Sequence, residues 1–520
     1  MSSKVNSALF ELIKSMSKSE KRYFKLMSSR HTIGDENNYV RLFDYLGKQE
    51  EYDEEAIFRA FKGEAFLNRF SITKKRLYDH VLSSLDSFHQ SGSIEAQLYK
   101  QLHAADILFD KSLYDQCRRL LRSAEKLAEK NELNGIQLQI SNKQKRLMET
   151  IGYLDMSPEQ MDEIEQADKQ RIQAVSTYQD LWMIKSRVFA QLSKKGVARS
   201  QAEIEEYKII CLPVLECVLT KNATEKSTYL YHHILSAYYY AIGELRLSLD
   251  HLKINLEAMD EKRLERHQEA NKYVSALTNV IYIADKLGDH RESLIYLAKL
   301  KTFAATVESN EDLAIKLFSS ISSIELSMHL RKGDFKQAIP AGQMIEERLK
   351  ALADKVSPVR KAFLEFKIAV AHIGIGDYSQ ALKWINAILN DTRLDKTEDI
   401  IGFTQLLDLI VHIELDHVKL LPYSLKSTQR FFKTRNRMYS FERILLNAIN
   451  KLIKLENPTD RFDLWEELNA ELAKITNDDV FESVALDYFD FQSWAESKLK
   501  GKSFDLIVRE KYNNRIREAS

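Results

Sequence analysis

Glycine and proline are scarce, 15 and 6 in 520 residues. Together they make up about 4% of the chain, against roughly 12% in average usage. Turns are therefore few and the elements between them long. Long elements rich in Leu, Ala, Lys, Glu and Gln are helices, and the same shortage excludes an all-β or α/β chain, which needs far more glycine punctuation. Cysteine is limited to Cys117, Cys211 and Cys217. Three is an odd number with no C-x-x-C pair, so neither a disulfide framework nor a zinc site is expected, only reduced thiols. No run of 18 apolar residues occurs, so no membrane span is expected. The start, "MSSKVNSALFELIKSMSKSEKRYF", has no apolar stretch of signal-peptide type. The expected compartment is cytoplasmic. No charge is in excess either: Lys plus Arg and Asp plus Glu both number 76. A surface that as a whole tracks nucleic acid or an anionic membrane is excluded, although a local basic patch is compatible with the balance.

What the chain has is a recurring turn. Four segments share one form: "AIGELRLSLDHL" from Ala241, "KLGDHRESLIYL" from Lys286, "RKGDFKQAIPAG" from Arg331 and "GIGDYSQALKWI" from Gly374. Each has a glycine, an acid, a hydrophobic or ring-bearing residue and, three positions later, a small residue. The glycines Gly243, Gly288, Gly333 and Gly376 are 45, 45 and 43 apart. The small residues Ser248, Ser293, Ala338 and Ala381 keep the same spacing. "KSLYDQCRRLLRSA" is a copy without glycine, with Tyr114 and Cys117 at the ring and small positions. Weaker copies fall near Ser157 and Gly196, and "HVKLLPYSLKST" and "LENPTDRFDLWEEL" continue the spacing roughly. This is the chemistry of a helical hairpin. Glycine takes the left-handed conformation that ends one helix, and the acid sits at the positive end of the next. A phosphate-binding loop would be unique in the chain, whereas this turn repeats about every 44 residues. Gly374 and Gly376 therefore read as turn residues and Asp377 as a helix-start acid.

The pattern resembles the tetratricopeptide repeat. Gly376, Tyr378 and Ala381 match that family's Gly-x-Tyr-x-x-Ala, with Ala369 at the small position of the first helix. Gly333, Phe335 and Ala338 match nearly as well. The period is about 44 instead of roughly 34, which asks for helices about one turn longer, and the closing proline is absent. The fold class expected is all-α: an α-α superhelix, a solenoid of tetratricopeptide-like hairpins over residues 94–455. A small helical N-terminal domain (1–90) precedes it, and a helical capping region (456–520) follows with Trp465, Phe481, Tyr488, Phe489 and Trp494 as anchors.

In the N-terminal part, Ser17-x-x-Glu20 is a capping box and Asp53 a natural N-cap. "HQSGSIEA" (His89–Ala96) is the best linker. Lys74, Lys75 and Arg76 fall in the first turn of a third helix, where the dipole disfavours cations. They suit phosphate or an acidic partner, or else form a solvated face. The Gly63 region lacks the small residue of a helix-turn-helix, since Arg59 stands four positions earlier. "HIELDH" puts His412 and His417 five apart, so on one continuous helix their rings would diverge by roughly 140°, against a metal site. "YHHIL" places His232 and His233 side by side, and adjacent side chains do not face each other. No phosphate loop, nucleophile elbow or dinucleotide fingerprint is present, so neither an enzyme nor a cofactor is expected.

Stacked hairpins make an extended concave surface, lined in the resembling family by the first helix of each pair. Distance from the turn glycine then nominates a lining: His233 and Tyr240; Thr278, Tyr282 and Asp285; and Ser323, Ser327 and Arg331, the last three aligned by their spacing of four. A polar and aromatic lining suits a protein or peptide partner. The alternative function is a regulator whose N-terminal helices bind nucleic acid.

Overall fold

The computed structural model describes residues 8–29, 38–89, 93–153, 157–216, 223–261, 269–307, 311–352, 355–394, 399–478 and 480–519. Cys217, residues 90–92 of the expected linker, residues 154–156 of a weak repeat copy, the first seven residues and the side chain of Phe481 lie outside this description. The described residues are helical, with no strand among them. The first helices are α1 (Ala8–Ser15), α2 (Lys18–Ser29), α3 (Asn38–Lys48), α4 (Glu54–Ala60), α5 (Phe70–His89), α6 (Ile94–Asp110), α7 (Tyr114–Lys130), α8 (Asn134–Ile151) and α9 (Pro158–Lys195). Then come α10 (Gln201–Leu215), α11 (Glu225–Ala241), α12 (Leu245–Glu261), α13 (Ala270–Lys286), α14 (His290–Thr306), α15 (Glu311–Arg331), α16 (Phe335–Leu352), α17 (Pro358–Gly374) and α18 (Tyr378–Leu389). The last are α19 (Asp399–Glu414), α20 (Leu421–Thr434), α21 (Ser440–Leu452), α22 (Pro458–Asp478), α23 (Val480–Ser483), α24 (Phe491–Lys500) and α25 (Phe504–Ala519). The chain forms two compact units, Met1–Val175 and Ser176–Ser520, divided inside α9.

In the first unit, α1 to α5 pack around Phe24, Leu42, Phe43, Leu46, Ile57, Leu77 and Val81. The capping box is formed in both directions: the Ser17 N–H donates to Glu20 Oε2 at 2.6 Å and the Glu20 N–H to Ser17 Oγ at 3.3 Å. Asp53 caps α4 through the Ala56 N–H.

The recurring turn has one backbone form. Gly243, Gly288, Gly333 and Gly376 all have positive φ. The N–H of the residue after each donates to the carbonyl five residues back, as Asp377 does to His372 at 2.9 Å. This is the Schellman closure. Ser112 and Asp416, also at positive φ, make it without glycine. The small residues Cys117, Ser248, Ser293, Ala338 and Ala381 are all buried. Cys117 Sγ and Ser248 Oγ donate to carbonyls twelve residues earlier, those of Ala105 and Ser236. Gly374 corrects its reading as a turn residue. It is the last residue of α17, and a Cβ there would lie 2.1 Å from the Phe335 ring. It is small because the ring of the preceding hairpin packs on it.

In the second unit, helices pack in chain order as successive hairpins, as in a helical solenoid. The unit then closes on itself. Arg199, between α9 and α10, donates to Glu442 of α21 and, at 2.9 Å, to Glu482 of α23. All three side chains are buried. Glu482 also accepts the Ser440 and Phe441 N–H groups at 2.9 Å, so it caps α21. Arg437 binds Asp399 and the carbonyls of Lys194 and Lys195, and Tyr439 donates to Glu203 at 2.6 Å. The C-terminal segment does not stack as one more repeat. It returns to the turns: Arg509 donates to the Gly333 carbonyl at 3.2 Å, Phe504 stacks on Phe335, and Lys286 pairs with Asp487 at 2.6 Å.

Two predictions follow from this packing. Ala at position 376 meets open space and costs only the left-handed strain, about 1–2 kcal/mol. Gly374→Ala gains about 1 kcal/mol of helix propensity but overpacks Phe335, at about 3 kcal/mol. Because Phe504 rests on that ring, hydrogen exchange in α25 should speed up in Gly374→Ala and stay unchanged in Gly376→Ala. For the closure, Arg199→Met leaves two buried carboxylates unpaired and should cost about 3–5 kcal/mol in urea unfolding. Adding Glu442→Gln should recover part of that loss.

Candidate functional site

Three first helices of consecutive hairpins, α13, α15 and α17, lie side by side. Each presents residues at helical spacing to one cavity of about 240 Å³. From α13 come Thr278, Tyr282 and Asp285, and from α15 a row of hydroxyls, Ser319, Ser323 and Ser327, that ends on Arg331. From α17 come Arg360, Phe363 and Lys367. The spacings of three, four and seven put each set on a single helix face.

The charges are unequal. Asp285 is the acid of the lining, and it is already used: Arg331 Nη1 lies 2.7 Å from it and His290 Nδ1 2.9 Å. Among the described residues, Lys367 Nζ hydrogen-bonds to neutral groups, the Ser323 carbonyl at 3.0 Å and Ser323 Oγ at 2.6 Å. Burial, with the Arg331 charge added, pushes the Lys367 amine down to about 7. Arg360 has no ion pair among the described residues. Its charge adds to burial in bringing Lys316 down to about 8. Cations therefore stand at two places in the lining, Lys367 with Arg331 and, two turns away on α17, Arg360, with Lys316 near Arg360 but outside the lining.

Six of the eight expected lining residues meet here: Thr278, Tyr282, Asp285, Ser323, Ser327 and Arg331. Tyr240 lies next to them, its ring 6.1 Å from that of Tyr282. His233 is elsewhere, its ring 5.0 Å from Phe189 and 5.5 Å from Tyr229. Burial and the charges of Lys185, Lys272 and Lys316 bring it down to about 4, so it is neutral at pH 7. Arg360, Phe363 and Lys367 are additions. Counting back from Gly376 by the offsets used for the other turns gives Val370 and Phe366, both in the core. Helix α17 turns a different face to the cavity.

Two other readings change. Lys74 is not in the first turn of a helix, because α5 begins at Phe70, and it is buried. It pairs with Glu54 at 2.8 Å, hydrogen-bonds Tyr52 and lies 4.7 Å from the Phe70 ring centroid. Only Lys75 and Arg76 of that cluster are exposed. His412 and His417 do not diverge: their Nδ1 atoms are 2.8 Å apart. Helix α19 ends at Glu414, and Asp416 at φ 52° swings His417 back. No group of three metal-ligating side chains occurs among the described residues. Among them, no helix is long and apolar enough to cross a membrane. No family model, curated protein or solved structure matches the chain.

The depressed lysines give a direct test. In competitive acetylation followed by mass spectrometry, labelling of Lys367 should rise with a midpoint near pH 7 and that of Lys316 near pH 8, while exposed lysines follow the ordinary value near ~10.4. The folded amine titrates below the unfolded one, so Lys367 lowers stability most below pH 7, and stability recovers as pH rises above it. Lys367→Met should therefore stabilise the chain more at pH 6 than at pH 9.

Proposed function

We propose that this chain is a non-enzymatic scaffold that binds a protein or peptide on the face shared by its first helices, in the manner of a tetratricopeptide-like solenoid. The observation that carries the reading is the cavity between α13, α15 and α17. Three helices from three hairpins bring hydroxyls, cations and an aromatic ring to one place. A core position would be filled with apolar side chains, and polar groups converging on a hollow suit a ligand. Cys117 and Cys211 are free, buried thiols, which suits a reducing compartment, the cytoplasm in this reading. The nucleic-acid alternative loses Lys74 from its basic cluster, since that side chain is already paired with Glu54.

The test is affinity capture of the tagged full chain from its own cells, with nuclease, beside the Ser327→Glu variant. A carboxylate at 327 lies one turn from Arg331 on the cavity side and would occupy the site from within. Wild type should retain a few proteins in near-stoichiometric yield. Ser327→Glu should lose them by about tenfold while melting at the wild-type temperature. Equal capture by both proteins would remove the cavity from the reading.

A further inference from the structure

The cavity has a charge pattern as well as a shape. Arg331 is neutralised by Asp285. That leaves Lys367, held among the described residues by Ser323 oxygens, and Arg360, which makes no ion pair among them although Asp312 lies near the same pole. The two stand seven residues apart on α17, two turns, or about 10 Å along the helix. An extended peptide advances about 10 Å in three residues. Between the poles lie Ser319 and the Phe363 ring, while Ser323 stands at the Lys367 pole and Ser327 one turn beyond it.

We infer that the cavity selects an acidic peptide segment in extended form, with two carboxylates three residues apart, one taken by Lys367 and the other by Arg360. The inference rests on the peptide-binding reading and adds the ligand's chemistry to it. Ser323 offers its hydroxyl beside the acid taken by Lys367, and Phe363 and Ile324 offer apolar contact to an intervening side chain. A nucleic-acid strand fits less well. Its phosphates need a continuous track of cations, and here the cations are confined to two spots on a chain of zero net charge. Binding is also tied to pH. The groups facing Lys367 are Ser323 and Arg331 of α15 and Asp285 of α13. Those facing the Arg360 pole are Lys316 and Asp312 of α15. A carboxylate at Lys367 holds the ammonium form, so the complex takes up a proton above pH 7 and weakens as pH rises.

The experiment is selection of a random decapeptide library, with acetylated N-termini and amidated C-termini, on the immobilised full chain at pH 6.5. Enrichment of Asp or Glu pairs at a spacing of three is expected. Affinity of a selected peptide should fall at least about tenfold in Lys367→Met and about threefold in the exposed Arg360→Ala. Between pH 7 and pH 8.5 it should drop about tenfold, with a smaller drop in Lys367→Met. Melting curves of both variants accompany the binding data, and Arg360→Ala removes only a surface side chain, so a loss there is not a loss of folding. Enriched peptides without paired acids, still displaced by Ser327→Glu, would overturn the diacidic inference and leave the peptide-binding reading standing. Failure to retain any peptide would overturn both. Tighter binding of a single-stranded decanucleotide than of any peptide, lost in Arg360→Ala, would also overturn the inference.

Discussion

The Arg199 guanidinium lies between Glu442 and Glu482, carboxylates that enter from 243 and 283 residues further along the chain. A buried ion cluster of this kind adds little net stability, because desolvating three charges offsets most of their attraction. Its effect is on register. The guanidinium finds both acids only when the α9–α10 loop meets α21 and α23 in one alignment, and every other alignment leaves buried charges unpaired, at several kcal/mol each. The same loop brings Gly196 against Asp399, where a Cβ would overlap the carboxylate. Burial pushes Asp399 up to about 6 even with Arg437 beside it. Stacked hairpins tolerate small rotations at each interface, and in an open array those rotations accumulate. Closure between distant points removes that freedom and fixes where α13, α15 and α17 stand relative to each other.

The hairpins themselves were readable from local chemistry, because one turn is set by a few adjacent residues. Gly243, Gly288, Gly333 and Gly376 announce it. Ser112 and Asp416 show that the left-handed residue, and not the glycine, is the constant feature. That is why "KSLYDQC" could be recognised by its ring and small positions alone. The capping box at Ser17 and the cap at Asp53 are local in the same sense. Closure was not readable. Nothing near Arg199 in the chain distinguishes it from the other arginines, and its partners are more than 240 residues away. The return of α25 to the Gly333 turn is hidden for the same reason.

At the candidate site, the lining from α13 and α15 followed from spacing, since a helix of known phase presents every third or fourth residue. Lys367 and Arg360 escaped because α17 turns to the cavity a face that stands at a different distance from its turn glycine than in α13 and α15. Lys74 and His417 were misplaced by a shared fault, an error of a few residues in where a helix starts or stops. At Lys74 the shift moved a cation from a solvated first turn to a paired core position. At His417 it turned divergent rings into touching ones.

The cations of the cavity carry the remaining argument. A fold that needed only to pack α17 against α15 would place an apolar residue at 367, since a charged amine taken from water costs several kcal/mol when no acid meets it. Position 285 shows that this chain can supply an acid where one is wanted, because Asp285 meets Arg331 directly. At Lys367 the hydrogen-bond partners among the described residues are a hydroxyl and a carbonyl, and the amine is held near its own titration point at neutral pH. Such an amine gains more from an incoming carboxylate than an already paired lysine can, because the pairing energy has not been spent within the fold. Arg360, two turns away and without an ion pair among the described residues, extends the same argument to a second acid. The cost in stability and the capacity to bind are thus one feature of the structure.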